Sequence, residues 1–224
     1  MIQHTVAIKH IKFINHDTLH LKTEKPKDYS YVPGQATHVR IDAEDVRDER
    51  GAFTFTNLPA ADHLEFTIKT YPSHNGMTDK LRDLKVGDHL LLEEVYGAIK
   101  YKGKGVFIAG GAGVTPFVSI LKSLEDKDEL DGHKLLFSNK SEKDILMKGT
   151  FEAMLGENFV NILSEEKAEN YAHGHIDKEF LKKHIDDWSQ YFYVCGPPKM
   201  IESVENDLYD LGVKEDQIVK EDLG

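Results

Sequence analysis

The sequence predicts two domains in series, an N-terminal antiparallel β-barrel and a C-terminal α/β domain with a parallel, Rossmann-like sheet. Three observations predict this. Short segments of alternating apolar and polar residues recur through the first ~100 residues, with turn signals between them. Strand-like and helix-like segments then alternate to the end of the chain, which implies a parallel sheet with helices on both faces. Between the two regions lies the polar segment Lys100 to Lys104, with Gly103 inside it and Gly105 after it. The expected domains are residues 1–100 and 101–224.

The barrel strands are expected at Thr5–Phe13, Thr18–Thr23, Ala36–Ile41, Phe53–Asn57, Leu64–Tyr71 and His89–Glu94. Pro33-Gly34, Asn57 to Pro59, Asn75-Gly76 and Gly87-Asp88 supply the turns. Met77 to Leu84, after Gly76, is the one helix expected here. In the second region strands are expected at Val106–Ala109, Lys134–Phe137, Phe159–Leu163, Phe192–Cys195 and Gln217–Lys220. Helices fall between them, near 116–125, 148–155, 177–185 and 198–211. The last carries Met200, Ile201, Val204, Leu208 and Leu211 on one face, and Gly212 suits its C-terminal end.

The most informative stretch is GVFIAGGAGVTPF, Gly105 to Phe117. An apolar strand meets a glycine turn, and a helix follows with apolar Phe117, Ile120, Leu121 and Leu124. Thr115 is expected to cap that helix and Pro116 to sit in its first turn. A glycine turn between strand and helix offers bare N–H groups and the positive helix end to an anion such as a dinucleotide pyrophosphate. It is not the GxGxxG fingerprint, because Pro116 stands at the third glycine, and no P-loop GK[ST] follows. A tight strand–helix turn without a ligand is the alternative. A second such turn at Cys195-Gly196, with Pro197-Pro198 opening a helix, favours the nucleotide, since two such turns in one sheet can share a crevice.

Composition excludes several classes. The chain has 224 residues, 40% of them hydrophobic, and 39 acidic against 28 basic residues leave a net charge of −11. An acidic chain repels phosphate backbones, so nucleic acid is not an expected partner. No apolar run approaches the ~20 residues of a membrane span. One cysteine excludes internal disulfides and an iron–sulfur cluster on four cysteines. With no signal-peptide core at the start, a cytoplasmic location is expected. The 12 histidines show no HExxH or other zinc spacing, and no metal is assigned.

Seven motifs in order carry a resemblance. They are PGQ (Pro33 to Gln35), AFTFTN (Ala52 to Asn57), TIK (Thr67 to Lys69), GMT (Gly76 to Thr78), VGD (Val86 to Asp88), GGAGVTP (Gly110 to Pro116) and CGPPKM (Cys195 to Met200). The chain resembles the ferredoxin–NADP reductase family over nearly its whole length, in particular its short bacterial flavodoxin or ferredoxin reductases. The resemblance implies an NAD(P)H-dependent flavoprotein that passes hydride to FAD and then single electrons to a separate carrier, flavodoxin or ferredoxin. It implies that Phe53 lies against the flavin and that the Thr54 hydroxyl faces the flavin N5, where hydride arrives. Phe55 and Thr56 complete that motif and count with the cofactor-binding residues, although at least one of Phe53 and Phe55 is expected to belong to the core. Ile68 and Lys69 are implied to present backbone to the ribityl and adenosine part. Gly76, Met77 and Thr78 are implied to hold the flavin pyrophosphate. Gly111, Gly113, Val114, Thr115 and Pro116 match the nicotinamide-nucleotide loop. Cys195, Gly196 and Pro197 match the strand end beside the nicotinamide. Thr54 and Cys195 are the expected catalytic pair.

The chain departs from the family in three places. The family's flavin motif is Arg-x-aromatic-Ser/Thr, and here Gly51 holds the arginine position while Arg50 stands one residue early, on the opposite face of a strand. The chain ends Glu221-Asp222-Leu223-Gly224, without the aromatic residue that covers the flavin in many members. Ser164 is followed by Glu165 and Glu166, which repel a 2′-phosphate, so NADH is expected over NADPH; Lys140 pulls the other way. Two alternatives to the separate-carrier reductase are an electron-transfer subunit of a larger oxidoreductase and a non-catalytic module that has lost its flavin.

Overall fold

Alternating burial along six segments builds the first unit. These are β1 (His4–Phe13), β2 (Thr18–Glu24), β3 (Ala36–Ile41), β4 (Arg50–Thr54), β5 (His63–Lys69) and β6 (His89–Tyr96). In β3, for example, Val39 and Ile41 enter the core while His38 and Arg40 face outward, as a half-buried antiparallel strand requires. The strands pair in the order β4-β3-β6-β1-β2-β5, every pairing antiparallel. A single bridge between Phe55 and Phe66 joins the two ends of the sheet into a barrel. The interior is filled by Val6, Ile8, Leu19, Leu21, Phe55 and Phe66 among others, and Phe55 stacks on Tyr31 with ring centroids 4.1 Å apart. The structure is a computed structural model that describes residues 3–44, 46, 49–71, 76–97 and 99–221.

Helix α1 (Met77–Lys80) is shorter than the expected Met77–Leu84, because the chain tightens into a 3-10 turn over Leu81–Asp83. The fourth strand also departs from expectation. It runs Arg50–Thr54 rather than Phe53–Asn57, because β3 pairs with it from Arg40↔Arg50 to Ala36↔Thr54. Beyond Thr54 the backbone crosses to β5: Phe55 N–H donates to Gln35 O (3.1 Å) and Thr56 N–H to Glu65 O (2.8 Å).

The second unit alternates strand and helix as the sequence predicts. Its strands are β7 (Gly105–Gly110), β8 (Lys134–Asn139), β9 (Phe159–Leu163), the short β10 (Ala172–His173), β11 (Tyr191–Cys195) and β12 (Ile218–Lys220). They form one parallel sheet in the order β10-β9-β8-β7-β11-β12. The helices are α2 (Thr115–Asp126), α3 (Lys148–Leu155), α4 (Lys178–His184) and α5 (Pro198–Asp210). All six residues of β7 are buried, as expected of a central strand covered on both faces. β10 was not expected; its two residues are too few for a period to register. α5 buries Ile201, Val204 and Leu208 and ends at Gly212, whose φ of +87° suits glycine. The Tyr193 hydroxyl fixes the polar segment after residue 100: it accepts from the N–H of Lys102 (2.9 Å) and Gly103 (3.0 Å) and donates to Gly103 O (2.6 Å).

The two units are Met1–Ala98 with Thr115–Ser123, and Ile99–Val114 with Leu124–Gly224. The first turns of α2 thus group with the barrel, although they lie well beyond residue 100 in sequence. No helix among the described residues is long and apolar enough to cross a membrane.

Candidate functional site

The barrel offers a site where its closure is incomplete. β4 and β5 are the ends of the sheet and meet at the Phe55–Phe66 bridge. On one side of that bridge, Arg50–Thr54 pairs only with β3 and Thr67–Lys69 only with β2. Two strand edges are therefore left open there, with backbone N–H and C=O groups that no neighbouring strand takes up. Phe53 and Thr54, half-exposed, end β4 at this seam. Phe55 and Thr56, which were expected with the cofactor set, turn inward. The Phe55 ring is 0% exposed in the core, and the Thr56 hydroxyl, also 0% exposed, bonds Glu65 Oε1 at 3.3 Å. Neither side chain is presented to a ligand. Ile68 is likewise a core side chain, so only its backbone faces outward. Lys69 pairs with Asp17 at 2.8 Å. Gly76 occupies the position before α1 with an extended backbone (φ −100°), Met77 is buried and Thr78 half-exposed.

Gly51 has a steric reason. The Phe53 ring folds back across it, and a Cβ there would stand 2.5 Å from Phe53 Cζ and 2.8 Å from Cε2. Arg50 points to the other face, where it lies 3.6 Å from the buried Glu93 carboxylate that Arg40 holds at 2.8 Å. Among the described residues, no guanidinium stands at Gly51, the position the resemblance gives to the family's arginine. Of the other two departures, the expectation drawn from the chain's last residues falls on Asp222 to Gly224, outside the described residues, as is Asn75 of the expected Asn75-Gly76 turn.

The second site lies at the carboxyl ends of β7 and β11. The strand order reverses between them, since β8 continues from β7 on one side and β11 pairs on the other, and such a switch point opens a crevice. Both glycine turns are there. Gly110 and Gly113 make the turns fit together: a Cβ on Gly110 would meet Met200 Sδ at 2.3 Å, and one on Gly113 would meet Cys195 O at 2.4 Å. Gly111 has φ +52° and nothing within 4 Å of its Cβ position, so its outer side is open. Thr115 does not cap α2. Gly111–Val114 forms a 3-10 turn, Val114 takes the cap position, and Thr115 and Pro116 are the first helical residues. Val114 and Pro116 are buried, Gly196 is partly exposed and Pro197 exposed.

Cys195 is buried, and burial, with the charge of Glu221, pushes its thiol up to about 12. It is a neutral thiol at any physiological pH, a weak donor and not a nucleophile. Glu221, which the sequence did not single out, is itself raised by burial. Asn139 was also missed. Its side-chain amide, 5% exposed at the end of β8, leaves both nitrogen and oxygen without a hydrogen-bond partner, and such orphans mark a water or ligand contact. Nearby, Lys140 pairs with Glu165 at 2.9 Å, and that hydrogen bond raises the ammonium further. Glu166 accepts from Glu142 N at 2.8 Å. The open seam suits a flavin, and the open glycine turn with the orphaned amide suits a dinucleotide, so both cofactors fit the residues present.

Fold and sites point to a class: a barrel whose open seam suits a flavin, followed by a parallel sheet whose glycine turns suit a nucleotide. Comparison with known proteins agrees. Residues 3–126 match the FAD-binding domain family and residues 107–206 the oxidoreductase NAD-binding domain family. The chain belongs to the FAD-binding domain family, whose match covers more than half of it, and carries the oxidoreductase NAD-binding domain match after it. It is 29% identical over 225 residues to NADH-cytochrome b5 reductase 2 of Mycosarcoma maydis, covering 88% of this chain and 63% of that protein. It is 27% identical to the anthranilate 1,2-dioxygenase electron transfer component of Acinetobacter baylyi, over 99% of this chain and 64% of the other. The chain thus spans somewhat under two thirds of these relatives. A ferredoxin NADP+ reductase from Neisseria gonorrhoeae shares the fold with a TM-score of 0.84 at 21% identity, over 97% of both chains.

Proposed function

We propose that this chain is an NAD(P)H-dependent flavoprotein reductase that delivers single electrons to a separate protein carrier, of flavodoxin or ferredoxin type. The observation that carries the reading is the pair of open sites, one on each unit: the β4–β5 seam and the glycine turns at the sheet's switch point. FAD, when bound, accepts hydride from the nicotinamide and releases electrons one at a time. The chain's own residues position and tune. The Phe53 ring orients the flavin, and the Thr54 hydroxyl bonds its reacting nitrogen. Backbone at Ile68 and Lys69, with Gly76, Met77 and Thr78, holds the rest of the flavin. N–H groups of Gly111, Gly113 and Val114 hold the nucleotide phosphates, with Thr115 and Pro116 fixing the exit of that loop. Cys195, with Gly196 and Pro197, packs beside the nicotinamide as a neutral thiol and excludes water. A cytoplasmic, reducing setting suits the buried free Cys195.

NADH is the preferred donor. Glu165 both repels a 2′-phosphate and occupies Lys140, the cation that could have attracted one. An electron-transfer subunit of a larger oxidoreductase is the second reading, favoured by the likeness to the dioxygenase electron transfer component. A visible spectrum before and after NADH tests the proposal. A yellow protein bleached by NADH supports it, and a colourless protein that ignores added FAD refutes it in favour of a non-catalytic module. Comparing kcat/KM for the two donors tests the preference: a clear lead for NADPH overturns it. Glu165→Gln, by freeing Lys140, should move the ratio several-fold toward NADPH.

A further inference from the structure

The nucleotide loop Gly111–Val114 runs directly into α2, and α2 is pinned to the barrel at two points one turn apart. The Ser119 hydroxyl accepts from Gly34 N–H at 3.1 Å, both groups buried. The Lys122 ammonium donates to Thr56 O at 2.7 Å and lies 3.4 Å from Glu65 Oε1. Both pins grip backbone that sets the end of β4. Thr56 is two residues past Thr54. Gly34 precedes Gln35, whose carbonyl accepts from Phe55 N–H. Glu65 is held for its part: His20 Nε2 lies 3.1 Å and Lys22 Nζ 3.3 Å from its Oε2. A lysine three-quarters buried and spent on a carbonyl serves no solubility purpose, and a helix face needs no such bond to bury Phe117, Val118 and Leu121.

We infer that Ser119 and Lys122 are positioning residues for hydride transfer, fixing the helix that carries the nucleotide loop to the strand end that carries Phe53 and Thr54. The inference rests on the reductase reading above. Neither side chain touches the cofactors; each acts through backbone. Hydride transfer is steep in distance, and misplacement of a reacting group by about 1 Å costs up to about a hundredfold in rate. Loosening one of two pins should cost less, about tenfold.

The experiment is stopped-flow reduction of the FAD-loaded full chain by NADH, for wild type, Lys122→Met, Lys122→Arg and the milder Ser119→Ala. Lys122→Met should lower the limiting rate of flavin reduction about tenfold, with the NADH concentration for half-maximal rate changed less than threefold and the flavin spectrum unchanged. Lys122→Arg, which keeps a donor to Thr56 O, should recover most of the rate. Ser119→Ala should show a smaller loss of the same kind. An unchanged limiting rate in Lys122→Met overturns the inference. So does a loss that appears only as released FAD or a lowered melting temperature, because that is a structural role; Ser119→Ala then decides if Lys122→Met does not fold. A wild-type protein that neither donor reduces sinks the reductase reading, and the inference with it.

Discussion

On the proposed reading, Gly51 decides how the flavin pyrophosphate is met. The family's arginine would place a charge-assisted donor there, a bond of roughly 1.5–3 kcal/mol. What stands in the way is the Phe53 ring, 2.5 Å from a Cβ at 51. That contact is with the far end of a side chain, and Gly51 has no left-handed backbone, so the ring can turn aside at about 0.5–1.5 kcal/mol for an unfavourable rotamer. The gain outweighs the cost. Gly51→Arg should bind FAD about tenfold tighter than wild type, and Gly51→Ala, which carries the cost without the charge, should bind it no tighter. Titration of the apoproteins with FAD measures both. Equal affinities for the Arg and Ala variants would mean that the guanidinium does not reach the phosphates. At Thr54 the expectation is kinetic: Thr54→Ala should slow flavin reduction at saturating NADH while NADH affinity changes little, and an unchanged rate removes the hydroxyl from the mechanism.

Among the elements, the Glu65 cluster ties β5 to β2, to the crossover after β4 and to α2. Burial alone would raise the Glu65 carboxyl, but the His20 hydrogen bond and the charges of Lys122, His20 and Lys22 outweigh burial and hold it far below the ordinary carboxylate range. A folded-state value below the unfolded one means that the ionised group stabilises the fold above the unfolded value. That stability is present at pH 7 and is lost as pH falls below the ordinary value of 4.5. Glu65→Gln should therefore cost about 1–3 kcal/mol at pH 7, and the gap to wild type should narrow steadily below pH 4.5. Urea midpoints across pH measure it, and a constant gap refutes the assignment. None of this cluster was legible in the sequence, because Lys122 and Glu65 lie far apart in the chain and nothing local marks them as partners. The strands, by contrast, were legible wherever alternation coincided with a turn residue, as in Ala36–Ile41. β4 was misplaced because Phe53 to Thr56 alternate cleanly, whereas Arg50, Gly51 and Ala52 carry no strand signal and are strands only through β3. The glycine turns were legible as turns, and the packing that demands Gly110 and Gly113 was not, since Met200 and Cys195 reach them from another part of the chain.

For the molecule as a whole, the net charge of −11 bears on the proposed electron delivery. Long-range charge governs how often a charged acceptor meets the protein, and salt screens that effect within about 10 Å at 0.1 M ionic strength. An acidic carrier approaching an acidic reductase is slowed at low salt, whereas a basic one is steered in. Two small or soluble acceptors of opposite charge separate the cases. Reduction of ferricyanide, a trianion, should speed up several-fold as salt is raised from low ionic strength to the physiological range. Reduction of a cationic one-electron acceptor should slow down by a similar factor. Local charge could reverse this, because Arg40 and Arg50 face each other across the β3–β4 pair, and β4 is the strand that ends in Phe53 and Thr54. Glu93 pairs with both, at 2.8 and 3.6 Å, so its one carboxylate offsets one of the two charges and leaves a single positive charge against the net −11. The whole-molecule sign should therefore win. If ferricyanide reduction slows with salt, the arginine face and not the net charge controls the approach, and the natural carrier is then an acidic one that docks on it.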